Sequence, residues 1–115
     1  MKKIAIVLNA NARSVNSKTI DEVQKVADQN DAKVFVSHSL EDLTGIALHI
    51  FCDEYDVVMC GGGDGTFSSC VTQIYNTYLN SDGKLKKNLP TFGILRMGTG
   101  NALADVLWIV TGKHS

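Results

Sequence analysis

Several signals are missing from this chain, and each absence removes a class of explanation. No Gly-Lys-Ser/Thr triplet occurs, so the P-loop is excluded, and no G-x-G-x-x-G run leads to an acidic residue in the Rossmann manner. No C-x-x-C pair occurs. The cysteines, Cys52, Cys60 and Cys70, are odd in number and scattered, which argues against zinc and fits a reducing cytoplasm. Charge of one sign is not in excess: 11 Lys and Arg against 12 Asp and Glu give a net −1, with no electrostatic footprint for nucleic acid. The basic cluster Lys84, Lys86 and Lys87 falls in a polar loop and reads as solvated. No apolar run is long enough to span a membrane. The opening Ile4-Ala5-Ile6-Val7-Leu8 stops at Asn9, too short for a signal-peptide core. Proline is confined to Pro90, and neither an internal repeat nor a low-complexity segment is visible. The 115 residues make one domain with enough chain for a real core.

What is present is concentrated in Val57-Val58-Met59-Cys60-Gly61-Gly62-Gly63-Asp64-Gly65-Thr66. The apolar residues read as a buried strand. The glycines read as a turn that side chains would obstruct, and Thr66 stands where a helix cap belongs. A glycine turn aimed at a helix N-terminus offers free backbone N–H groups and the positive end of the helix dipole, which suits a phosphate. Asp64 would repel a bare phosphate; it makes sense if it holds Mg²⁺ against the phosphates, directly or through water. The plainer reading is a tight strand-to-helix connection with no ligand.

Around this turn the chain alternates strand and helix. Residues 4–8 form a continuous apolar run, as in a strand buried on both faces. A polar loop follows, and Ser17 could cap a helix carrying Ile20, Val23, Val26 and Ala27 at helical spacing. Residues 32–36 read as a second strand. Leu43, Ile46, Ala47, Ile50 and Phe51 mark a second helix, with Asp42 near its start. Residues 55–60 are the third strand. Phe67, Val71, Ile74, Tyr75 and Tyr78 line a third helix, and 80–88 is a lysine-rich loop. Residues 91–95 are a fourth strand, and the turn Arg96-Met97-Gly98-Thr99-Gly100 leads from Asn101 into a fourth helix. The pattern predicts an α/β fold: a Rossmann-like parallel sheet of about four strands alternating with helices, in three layers. Ligands of such sheets sit beyond the carboxyl ends of the strands. Three polar or glycine-rich loops fall there, at residues 9–14, 61–66 and 96–100.

Gly62-Gly63-Asp64-Gly65-Thr66, taken with Gly93-Ile94-Leu95-Arg96-Met97-Gly98-Thr99-Gly100-Asn101-Ala102-Leu103-Ala104, resembles the catalytic domain of the diacylglycerol kinase family, which includes bacterial lipid kinases and the sphingosine and ceramide kinases. The likeness extends over almost the whole chain. The first motif is shared with NAD kinases and, more loosely, phosphofructokinases; Gly98-Thr99-Gly100-Asn101 narrows the choice, and Asn101-Ala102-Leu103-Ala104 looks like the sphingosine kinase version.

The resemblance implies Mg²⁺-dependent transfer of a phosphoryl group from ATP to a lipid hydroxyl, on diacylglycerol or a sphingoid base. It implies ATP phosphates over Gly62, Gly63, Asp64, Gly65 and Thr66, with Phe67 and Ser68 adjoining, Asp64 at the metal, and Gly98, Thr99 and Asn101 at the nucleotide. Ser37 falls where many bacterial members carry a nucleotide-contacting threonine. Asn9 and Arg13 fall in the family's N-P-x-[SA]-G loop. The chain departs from the pattern at Ala10 and Arg13 in that loop, at Ser68 and Ser69, at Arg96 where proline is usual, and at Ala102 where aspartate is common. Arg13 either closes off a backbone approach or adds a phosphate-pairing guanidinium.

The family also implies a second, β-rich domain carrying much of the lipid site and the general base; residues 1–115 correspond to the nucleotide-binding domain alone. The expectation is therefore a weakly active or inactive chain by itself, cytoplasmic, with peripheral membrane contact in the full-length protein and scope for homo-oligomers. His38 and His49 are acid–base residues by type, but no partner geometry marks either as a base. An NAD kinase-like small-molecule kinase and a non-catalytic remnant binding nucleotide or protein are the competing readings.

Overall fold

The computed structural model describes residues 2–12, 15–62 and 64–95, with Asp64 given by its backbone. Seven elements follow in order: β1 (Ile4–Asn9), α1 (Ser17–Gln29), β2 (Ala32–Ser37), α2 (Leu40–Cys52), β3 (Val57–Gly61), α3 (Asp64–Tyr78) and β4 (Thr91–Leu95). The expected turn after Leu95 and the helix from Asn101 lie outside the described residues.

The strands form one four-stranded parallel sheet in the order β2-β1-β3-β4. Ile4 is in register with both Ala32 and Val57, and Val57 with Thr91. The chain steps outward from β1 to β2 through α1, returns past β1 to β3 through α2, and continues to β4 through α3. Right-handed crossovers running in opposite directions require opposite faces of the sheet. Accordingly α1 covers one face, where Val23 and Ala27 meet Ile4, Ile6, Leu8, Val57 and Met59. The pair α2 and α3 covers the other, where Leu43, Ile46, Ala47, Ile50, Cys70, Ile74 and Tyr78 meet Ala5, Val7, Val58 and Cys60. The central strands read as unbroken apolar runs because both of their faces are buried.

Several boundaries differ from the sequence expectation. Asn16, not Ser17, caps α1: its Oδ1 accepts the Thr19 N–H at 2.9 Å and the Thr19 hydroxyl at 3.0 Å. Ser39 caps α2 by accepting the Asp42 N–H at 3.1 Å, while the Asp42 carboxylate accepts the His38 N–H at 2.9 Å. Strand β3 begins at Val57. Tyr55 belongs to the preceding turn, where Glu54 takes a φ of 57°. The packed stripe of α3 is Cys70, Ile74 and Tyr78 at four-residue intervals, and Tyr75 points outward at 42 % exposure.

The lysine loop is not simply solvated. Lys86 and Lys87 lie over the Phe51 ring at 4.9 and 4.1 Å, and Lys87 Nζ donates to the Phe51 carbonyl at 2.6 Å. Those contacts secure the C-terminal end of α2, where the helix dipole favours a cation.

Candidate nucleotide cleft

The topological switch point lies between β1 and β3, whose following segments leave toward opposite faces of the sheet. At that point the strand ends are joined by side chains. Asn9, the last residue of β1, donates from Nδ2 to Thr66 Oγ1 at 3.0 Å and accepts the Asn11 N–H on Oδ1 at 3.0 Å. Asn11 in turn donates from Nδ2 to the His38 carbonyl at 2.9 Å, and the Ala10 N–H donates to the Ser37 carbonyl at 2.8 Å. Buried Ser37 reaches the Leu8 carbonyl at 3.5 Å. The carboxyl ends of β1 and β2 and the first turn of α3 are thus held as one polar rim.

Beside this rim opens a cleft of about 710 Å³ between the N-terminal turns of α2 and α3. Asn9, Asn11, Ser37, Ser39, Thr66 and Ser69 supply its polar groups; Val7, Ala12, Leu40, Leu43 and Cys70 supply an apolar wall. The first turns of both helices, at Leu40 and at Gly65, border the space, so two positive dipole ends serve one cavity.

The two described glycines of the turn play different parts. Gly62 has a φ of 149°, and a Cβ there would stand 2.6 Å from Thr66 Oγ1 and 2.8 Å from Thr66 Cβ. Glycine is required at that position for the Thr66 side chain to lie against the turn. Gly65 is exposed, and a Cβ there would meet nothing within 4 Å. A glycine in a helix is about 1 kcal/mol less favourable than alanine, and no neighbour among the described residues demands it. What its bareness provides is clear space opening on the cleft.

Of the residues singled out in the sequence, Asn9, Ser37, Gly65 and Thr66 line the cleft, and Gly62 lies against Thr66. Thr66 does not cap α3: the helix already includes Asp64, and the hydroxyl is engaged by Asn9. Phe67 packs half-buried against the α2 and α3 core, and Ser68 is exposed; neither is among the lining residues. Arg13, Gly63, Gly98, Thr99, Asn101 and the side chain of Asp64 lie outside the described residues, and with Asp64 the expected metal position. Among the described residues no cluster of three or more His, Cys, Asp or Glu is placed to hold a metal ion.

His38 is exposed, with Nδ1 3.7 Å from the Asp42 carboxylate, and it contributes its backbone rather than its ring to the rim. The His49 ring stands 6.1 Å from that of Phe35, a surface packing contact. Asn11, Ser39 and Ser69 were missed as lining residues. For Ser39 a signal existed: the Ser39-Leu40-Glu41-Asp42 capping pattern places a helix start at the end of a strand. For Ser69 there was none.

These features define a three-layer α/β domain with a cleft at the carboxyl edge of its sheet. The profile of the diacylglycerol kinase catalytic domain matches residues 3–114, and the chain belongs to that family. No curated protein matches it. Among solved structures it is similar to a de novo designed Rossmann2x2 protein determined by solution NMR, at TM-score 0.63 and 16 % identity, over 99 % of this chain and 92 % of that one. It is also similar to the crystal structure of a candidate diacylglycerol kinase from Bacillus anthracis str. Sterne, at TM-score 0.61 and 17 % identity, over 98 % of this chain but 42 % of that one. At these identities the two structures speak to the fold. No helix among the described residues is long and apolar enough to cross a membrane.

Proposed function

We propose that this chain is the ATP-binding part of a lipid kinase that transfers a phosphoryl group to the hydroxyl of a diacylglycerol or sphingoid-type lipid. The observation that carries the reading is the uncrowded Gly65 in the first turn of α3, facing a cleft with two helix N-termini. A phosphate group fills such a space without displacing any side chain, and it meets backbone N–H groups. Phosphoryl transfer depends chiefly on positioning and charge stabilisation. In this scheme Gly65 and the first turn of α3 receive the phosphates. Asn9 fixes the Thr66 hydroxyl beside them. Ser37, Ser39 and Asn11 offer polar contacts to the rest of the nucleotide, whose base lies along Val7, Leu40 and Leu43. Mg²⁺, when bound with ATP, neutralises phosphate oxygens, and Asp64 is the residue assigned to it.

The chain covers less than half of the Bacillus anthracis structure, and the proposal includes a second domain that completes the lipid site and supplies the base. Calorimetric titration of ATP into the chain, with and without Mg²⁺, tests the reading. Saturable binding strengthened by Mg²⁺ is expected. Absence of binding both to this chain and to a longer form carrying a second domain would refute it, and equal affinity without Mg²⁺ would remove the metal role.

A further inference from the structure

We propose that Cys60 and Cys70 form a reversible disulfide, a redox site beneath the cleft that is independent of the nucleotide reading. Cys60 is the penultimate residue of β3, and Cys70 faces it from the second turn of α3. The Cys60 thiol donates to Cys70 Sγ at 2.6 Å. Both are free thiols, 2 % and 0 % exposed, and Cys70 belongs to the wall of the cleft. A pair of sulfurs already in contact needs little backbone movement to bond. Cys70 lies fully buried in the cleft wall, so a small oxidant reaches it through local opening of that wall. The third cysteine, Cys52, is exposed, so the chain contains its own reference thiol.

Position relative to the cleft assigns the roles. Cys60 holds its proton toward Cys70; that contact, with burial, raises the Cys60 pKa. Cys70 lines the cleft and Cys60 does not, so Cys70 is the attacking sulfur. With a hydroperoxide as oxidant, the Cys70 sulfur attacks the terminal peroxide oxygen and the O–O bond breaks. The departing oxygen takes up the thiol proton, leaving as alcohol (or water), and Cys70 becomes a sulfenic acid. Cys60 sulfur then attacks Cys70 sulfur, the S–O bond breaks, and water leaves with the Cys60 proton. In sum the two thiols lose two electrons and two protons to the peroxide. The bond ties the end of β3 to α3 across the glycine turn, and it restrains the unfolded chain.

The test is peptide mass mapping of the full chain after hydrogen peroxide treatment at the lowest level that modifies Cys52, with remaining thiols alkylated in denaturant. The expected product joins the Cys60 and Cys70 peptides with loss of two hydrogens. Dithiothreitol reverses it, the Tm of the oxidised chain rises by several degrees, and C70A loses both effects. The proposal is overturned if Cys52 is oxidised while Cys60 and Cys70 both alkylate, if Cys70 passes to a sulfinic acid without cross-linking, or if the cross-links run through Cys52. The mapping is done on the unmodified chain, so it decides the matter even where C70A fails to fold.

Discussion

Asn9 Nδ2 donates to Thr66 Oγ1 across 3.0 Å, joining the end of the central strand to the first turn of α3 over the switch point. A partly buried neutral hydrogen bond of this kind contributes about 1 kcal/mol. N9A and T66V are each expected to lower stability by about that amount, T66V keeping the shape packed against Gly62. Because the two changes remove one shared interaction, the double variant should lose less than the sum, with a coupling of roughly 0.5–1.5 kcal/mol. Urea unfolding of the four proteins measures this; strict additivity would show that the contact contributes nothing in solution. On the proposed function, ATP affinity falls in both single variants.

Gly62 and Gly65 should respond to alanine with opposite signs. At Gly62 the added Cβ meets Thr66 at 2.6–2.9 Å with φ at 149°, so G62A is expected to destabilise by about 1–3 kcal/mol. At Gly65 the space is open, so G65A should stabilise the helix by up to about 1 kcal/mol; on the proposed function it also weakens ATP binding at least roughly tenfold by filling the space assigned to a phosphate, a change of about 1.4 kcal/mol in binding. Thermal unfolding and ATP titration on the same samples separate the two effects. A G65A chain that binds ATP as tightly as the parent would place the phosphates elsewhere.

The contrast between these glycines bears on what could be read from residues alone. The parallel α/β sheet was legible because residues 4–8 and 57–60 are apolar at every position, as strands covered on both faces are, and because helical patterns alternate with them. The Gly62–Thr66 region was legible as a turn entering a helix. The division of labour within it was not, since it depends on where the Thr66 side chain lands after β1 and β3 pair. Asn16 and Ser17 are both capping residue types side by side, and backbone dihedrals decided between them. Cys70 stands four residues before Ile74 and eight before Tyr78 and completes the apolar stripe of α3, since buried free cysteine behaves as a small hydrophobe. Asn11 joins the cleft from the polar loop 9–14 that the sequence places at this edge, whereas Ser69 joins it from a helix position that no local pattern marks.

Lys87 has a structural task that sets it apart from its neighbour Lys84. Its ammonium group donates to the Phe51 carbonyl at 2.6 Å, lies 4.1 Å from the Phe51 ring centroid and stands 3.6 Å from the Glu54 carboxylate. K87M keeps most of the stem and removes the charge. It should lower stability by about 1 kcal/mol through the lost helix-terminus and ring contacts. K84M, at an exposed position, should stay within about 0.5 kcal/mol of the parent. Guanidinium is unsuitable here because its salt screens the charge, so urea unfolding at low ionic strength is the measurement. Equal midpoints for the two variants would return Lys87 to the status of a solvated loop residue.

Stability should decline on the alkaline side, and buried hydroxyls and a buried thiol give the reason. Burial raises the Tyr78 pKa, with the Glu54 charge adding to it, and burial followed by the Asp53 charge raises that of Tyr55. The Cys60 thiol is pushed up by its hydrogen bond to Cys70 and by burial. A group whose folded pKa lies above its unfolded value binds its proton more tightly in the native state. Its contribution is therefore complete below the unfolded pKa and is lost as pH rises through the folded one. With unfolded values of 9.0 for cysteine and 10.0 for tyrosine, the loss begins near pH 9 and continues beyond 10. Tyr78 is 1 % exposed and meets the Phe51 ring edge-on at 4.9 Å, packing that phenylalanine preserves. Y78F is thus expected to match the parent near neutrality and to lose less stability between pH 9 and 11. Urea midpoints across that range check the expectation, and parallel curves for parent and variant would mean that the Tyr78 proton is held no more tightly in the folded chain than in the unfolded one.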